Sequence, residues 1–107
     1  MLFRGIVVRV PFLWVEGMAL CPFVLVKRKY PTPVLLHHEQ IHLRQQLETG
    51  FLLFYVWYLA EYLWRLARLR NHHRAYRSIS FEREAFQWQG HTRYLAQRPR
   101  WAFLKYL

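Results

Sequence analysis

Aspartate does not occur in this 107-residue chain, and its six acids are all glutamates: Glu16, Glu39, Glu48, Glu61, Glu82 and Glu84. With acids this scarce, each one needs a reason. Cysteine is rarer still. Cys21 stands alone, which excludes an intramolecular disulfide and a C-x-x-C motif and gives no sign of an oxidising compartment. Arginine is scattered, without a Lys/Arg block or an RNA-binding signature, so nucleic acid is not an expected partner even at a formal net charge of +10. The N-terminal stretch MLFRGIVVRVPF is broken by Arg4 and Arg9 and lacks a continuous apolar core. It does not read as a signal peptide, and a cytoplasmic setting is expected.

Phe51 to Ala60 is an unbroken apolar run, interrupted by Glu61 before Tyr62-Leu63-Trp64. A spanning helix needs about 20 apolar residues, so the run is too short to cross a membrane. It can be a central core helix, or a helix lying on a membrane or in a dimer interface, flanked by Arg65, Arg68 and Arg70. At 54% hydrophobic and 19% aromatic, the chain is far too apolar to be disordered. Its length predicts a single domain over residues 1–107 with one modest core.

The first thirty residues read as strands. Gly5-Ile6-Val7-Val8-Arg9-Val10 is β-branched and Pro11 ends it; Leu13-Trp14-Val15 and Met18-Ala19-Leu20 flank a turn or bulge at Glu16-Gly17; Phe23-Val24-Leu25-Val26 follows Pro22. A small antiparallel sheet is expected. Helices follow. Thr32 can cap and Pro33 suits the first helical position of a helix over 33–49, stopped by Gly50. A second helix runs from Phe51 to about Arg70 and ends in Asn71-His72-His73-Arg74. A third, capped by Ser78 or Ser80, covers Phe81 to Gln89, and one or two short helices close the chain. Strands first and helices after define an α+β class.

Inside the first helix, His38-Glu39-Gln40-Ile41-His42 spells H-E-x-x-H. Positions four apart share a helix face, so His38 and His42 can offer two imidazole nitrogens to one zinc ion. Glu39, beside His38, can reach a zinc-bound water as general base without being a ligand. His37 lies off that face and reads as a surface or packing histidine. Gln45 and Gln46 continue beyond His42 as polar neighbours. A catalytic zinc needs a third protein ligand and an open fourth position. No third histidine follows at short spacing, because the next residues read LRQQLE.

Two glutamates could supply that ligand. Glu61 comes level with the histidines if the first two helices form an antiparallel hairpin, a spacing that resembles thermolysin-type gluzincins. Glu82 lies in Phe81-Glu82-Arg83-Glu84-Ala85, and E-x-E-A after H-E-x-x-H resembles the third-ligand helix of gluzincin families such as the CAAX-type endopeptidases and the β-lactam-sensor peptidases. The resemblance covers His38–His42, Glu82–Ala85 and the strand-then-helix order, and the whole is similar to the very small, zincin-like gluzincin proteins. It implies Glu82 as ligand and Ala85 as the position of close helix approach; Glu84, nearly opposite Glu82 on the helix, is expected to face solvent. The CAAX-type pattern ends in aspartate where this chain has Phe86, so a partner for one histidine is missing or moved.

The resemblance further implies an edge strand that binds substrate by strand addition, here Phe23, Val24, Leu25 and Val26. An oxyanion donor could come from Tyr76, Arg77, His72, His73 or His91, the bland reading of His72 and His73 being histidines at a helix C-terminus. Three functions therefore compete: a zinc metallopeptidase acting on a peptide or protein, a zincin-like zinc-binding protein without turnover, and a basic membrane- or partner-associated protein in which H-E-x-x-H is incidental.

Overall fold

Short apolar segments rich in β-branched residues build the N-terminal sheet in the computed structural model, which describes residues 5–107. Arg4, one of the residues that break the N-terminal apolar stretch, lies outside the described residues. The strands are β1 (Ile6–Arg9), β2 (Gly17–Leu20) and β3 (Phe23–Val26), in the order β1-β3-β2. β2 and β3 form an antiparallel hairpin, with Leu20 opposite Phe23, but β1 runs parallel to β3, with Ile6 opposite Phe23. The sheet is thus mixed rather than antiparallel throughout. The hairpin uses one edge of β3 and β1 takes the other. A parallel pair needs a long crossover, and residues 10–22, with β2 among them, supply it. Leu13-Trp14-Val15 belongs to this crossover and is not a strand; buried Leu13 anchors it while Trp14 is 81% exposed.

This topology corrects the expected substrate strand. β3 is central and bonded on both edges, so Phe23, Val24, Leu25 and Val26 have no free edge to offer. The free edge of the hairpin belongs to β2.

α1 spans Pro33–Thr49, as the local signals predict. The Thr32 hydroxyl oxygen accepts the Leu35 N–H at 3.1 Å, and Pro33 fills the first turn, where its missing N–H costs nothing. Leu43 packs under the sheet against Ala19, Val24 and Val26. Gln46 adds polar stitches to the hairpin: its Nε2 donates to the Ala19 carbonyl at 2.8 Å and its Oε1 accepts from Cys21 N at 2.9 Å. Gly50, at φ 76°, ends α1 in a conformation that favours glycine, and α2 (Phe51–Leu69) begins at the next residue.

α2 packs one face on an aromatic cluster of Phe54, Phe81, Phe103 and Ile79, flanked by Trp57, Tyr58 and Tyr62. Its other face is uncovered, so it is not a central core helix: Phe54 is its one buried residue. Arg70 ends it in the left-handed region (φ 52°). His72 and His73 then open a further helix, α3 (His72–Ser78), capped by the Asn71 side chain, instead of closing the second. α4 covers Ser80–Trp88, followed by a single turn, α5 (Tyr94–Gln97), and a short 3-10 helix (Ala102–Tyr106). The fold is α+β, and α4 lies across α1 where Ala85 meets Ile41.

Candidate metal centre

His38 and His42 sit one turn apart on the buried face of α1, and α4 brings Glu82 against both. Glu82 Oε1 lies 3.0 Å from His38 Nε2 and 3.0 Å from His42 Nε2, and the two Nε2 atoms are 3.2 Å apart. A tetrahedral zinc with ligands at about 2.0–2.1 Å spaces its donors by roughly 3.3 Å. The two imidazoles and one carboxylate therefore suit a single divalent metal in chemistry and in spacing.

The opposite side of each imidazole sharpens that test. Gln45 Nε2 donates to the Phe81 carbonyl at 3.1 Å and to Glu84 Oε1 at 3.0 Å, which fixes the amide so that its Oε1 faces His42 Nδ1 at 2.7 Å. His42 then carries a proton on Nδ1, which leaves its Nε2 to face Glu82. Gln89 Oε1 lies 2.9 Å from His38 Nδ1. Without a metal, an Nε2 proton on His42 can bridge to Glu82, and a divalent ion at the same point would take that proton's place.

Glu82 divides its carboxylate. Oε1 meets the histidines, and Oε2 accepts the Tyr58 hydroxyl at 2.6 Å. Glu61 is not part of the constellation: it accepts the Ser80 N–H at 2.9 Å and the Ser80 hydroxyl, securing the start of α4. Serine is thus the donor at this helix start, and neither Ser78 nor Ser80 caps it through its own side-chain oxygen. Phe86, where the resembled pattern has aspartate, packs its ring against His38 at 4.5 Å and carries the Arg77 guanidinium on its face at 3.7 Å. The missing histidine partner has moved to Gln45 and Gln89. Glu84 does not face solvent. It is fully buried, bonded by Arg98 and by the Tyr94 hydroxyl at 2.6 Å, because the C-terminal segment folds over α4. His37 sits at the α1–α4 junction, its Nδ1 3.0 Å from the Gln89 carbonyl.

A cavity of about 810 Å³ opens beside these residues, lined by β2 and α2 as well as by His38, Glu39, His42 and Glu82. Glu39 is 6% exposed, and among the described residues no hydrogen bond engages its carboxylate. Gly17 of β2 comes so close that a Cβ there would meet Glu39 Oε2 at 3.1 Å. Of the five oxyanion candidates, Tyr76, His72 and His73 line the cavity. His72 is already paired with the Tyr62 hydroxyl at 2.7 Å; Arg77 lies over the Phe86 ring and His91 meets Trp88 edge-on, both outside the lining. Sequence reasoning missed Tyr58 and Gln89, whose spacing in the chain carries no motif.

Burial pushes the Glu39 carboxyl up, against the pull of His42 and His38, while Glu82 adds to the rise. Burial also disfavours charge on His42, but Glu82 outweighs it and lifts the imidazole to about 9. Burial would raise Glu82, yet His42 and His38 hold it well below the carboxylate range. Tyr58 and Tyr76 are pushed far up by burial and by the charge of Glu82, so both stay neutral phenols and hydrogen-bond donors. Compared with protein-family models, curated proteins and solved structures, the chain matches none.

Proposed function

We propose that the chain is a zinc-dependent metallopeptidase of gluzincin type, with His38, His42 and Glu82 as ligands and Glu39 as general base. One observation carries the reading: two imidazole nitrogens and a carboxylate oxygen converge beside a buried, unpartnered carboxylate on the wall of an apolar cavity. Zinc bound there supplies a Lewis acid and brings the pKa of a water down to about 7. Glu39 takes the proton of the attacking water and returns it to the leaving amine nitrogen. Tyr58 keeps Glu82 turned toward the histidines. Tyr76, a neutral phenol in the cavity, is the donor available to the carbonyl oxygen as it gains charge.

The peptide binds extended against β2. Lys27 N donates to the Glu16 carbonyl, so alternate residues Gly17 and Ala19 turn their backbone groups to the free edge. Gln46 and Tyr55 already occupy the Ala19 carbonyl, which leaves Gly17, next to Glu39, as the open rung. Trp14, Leu20, Phe54 and Tyr55 offer an apolar wall for a side chain of like character. Cys21, unpaired, fits a reducing, cytoplasmic setting.

Elemental analysis of protein purified without chelator or histidine tag, together with a fluorogenic peptide assay, tests this. About one zinc per chain is expected, lost in His42→Ala and Glu82→Ala and kept in Glu61→Ala. Glu39→Gln should retain zinc and abolish hydrolysis. No zinc after adding it back to folded protein removes the metal. Zinc without any hydrolysis leaves a zincin-like binding protein.

A further inference from the structure

α2 is apolar on every side over Phe51–Ala60, yet only Phe54 is buried. Its outward stripe, at helical spacing, is Leu52 (78% exposed), Val56 (56%), Leu59 (56%) and Leu63 (53%). Helices that are apolar on every side belong in a protein core or in lipid. The sheet repeats the pattern. Its inner face is covered by α1, but the cross-strand row Ile6, Phe23 and Leu20 stands exposed on the outer face. The two surfaces meet where the Tyr55 hydroxyl reaches the Ala19 carbonyl at 3.4 Å, next to Leu20. Leu20 and Tyr55 also line the cavity. Continuous apolar surface of this kind marks an interaction site.

The charge distribution chooses the occupant. All six glutamates are spent: Glu39, Glu82 and Glu84 are buried, Glu48 pairs with Arg98, Glu61 secures Ser80, and Glu16 pairs with Arg28. The exterior is therefore almost purely cationic on a chain of net charge +10. Arg68 and Arg70 are exposed at the C-terminal end of α2, and the Arg68 guanidinium lies over the Trp64 ring at 5.4 Å. A second copy would set +10 against +10, whereas an anionic lipid surface offers opposite charge and an apolar interior together. Among the described residues no helix is long and apolar enough to cross a membrane.

We propose that α2 and the adjoining outer face of the sheet seat the protein on an anionic bilayer, with α2 lying along the plane of the membrane and Arg68 and Arg70 reaching the headgroups. The proposal does not depend on the metal or the reaction. Co-sedimentation of the full chain with vesicles of phosphatidylcholine, alone or with about 30% phosphatidylglycerol, tests it. Wild type should bind the anionic vesicles, and Leu52→Ser/Leu59→Ser and Arg68→Gln/Arg70→Gln should each weaken binding about tenfold or more, with unchanged far-UV circular dichroism. Equal binding to neutral vesicles, no binding at low salt, or wild-type binding by the leucine variant overturns it. So does a dimer in sedimentation velocity that the leucine variant dissociates and that ignores vesicles.

Discussion

α1 and α2 are consecutive, of similar length, and joined at Gly50, but their burial is inverted. α1 carries His38, Glu39, His42, Gln45, Gln46 and Thr49 among its buried residues, and α2, by far the more apolar, buries only Phe54. Transfer energetics alone would place them the other way round. The polar helix stays inside because nearly every group it buries is answered: Gln45 by Phe81 and Glu84, Gln46 by Ala19 and Cys21, Thr49 by the Gln45 carbonyl. Among its buried residues Glu39 is the exception, and it faces the cavity; the buried His37 Nε2 and Glu48 Oε1 atoms also lack partners. Burial in this fold follows what α1 must hold and what α2 must meet.

The sharpest way to break the polar side is to remove one member of its most deeply buried pair. Glu84→Ala leaves the Arg98 guanidinium in the interior, without its main partner, and strips a bond from Gln45. Breaking a buried pair from one side costs about 3–5 kcal/mol, so chemical denaturation should show a loss of that size. A loss below about 1 kcal/mol would mean that water reaches Arg98 and that this side is not the closed network described here.

Next in size is a pH effect on chelated protein. His42 rises from 6.5 unfolded to about 9 folded, so its protonated form stabilises the fold fully below pH 6.5 and that stability drains away as pH climbs through about 9. Glu82 is depressed from 4.5, so its share is present above that value and lost in acid. Chelated protein should therefore lose on the order of a few kcal/mol between pH 6 and 10, and zinc, which replaces the proton, should flatten that limb. Thermal melts with and without chelator decide it. A flat chelated profile over this window would show that the histidines and Glu82 are not electrostatically coupled.

How much of this inversion was legible differs between the two sides. The bounds of α1 are written locally, in Thr32-Pro33 and Gly50, and H-E-x-x-H and E-x-E-A name residues that the fold brings together. What escaped is long-range. The partner of Glu84 is Arg98, fourteen residues on, and that of Glu82 Oε2 is Tyr58, twenty-four residues back. β1 pairs with the one edge of β3 that the hairpin leaves free, and it does so parallel, a fact about topology that no strand sequence states. α3 escaped because seven residues are too few to show a period. For α2 the composition was plain and its placement was not, since an apolar run reads alike whether it meets protein or lipid.

Gln45 offers a smaller and more specific test of the polar side. Gln45→Leu removes the acceptor that holds the proton on His42 Nδ1. Outer partners of ligand histidines are worth about 10–100-fold in metal affinity, so competition with a chromophoric chelator should show a drop in that range with the zinc stoichiometry unchanged. Unchanged affinity would show that Glu82 and packing against Phe54 orient His42 without help.

The smallest effect is expected where ordinary sequence intuition expects a large one. Leu59 lies in the middle of the most apolar helix, and a leucine-to-serine change in a core costs several kcal/mol. Here Leu59 is more than half exposed, and the residues that hold α2 to the fold are Phe54, Trp57, Tyr58 and Tyr62 on the other face. Leu59→Ser should therefore change stability in solution by no more than about 0.5 kcal/mol, whereas Phe54→Ala, on the inward face, should cost about 3 kcal/mol or more. Comparable losses from the two would mean that the outward face is covered in the free protein, and the inversion between α1 and α2 would disappear with it.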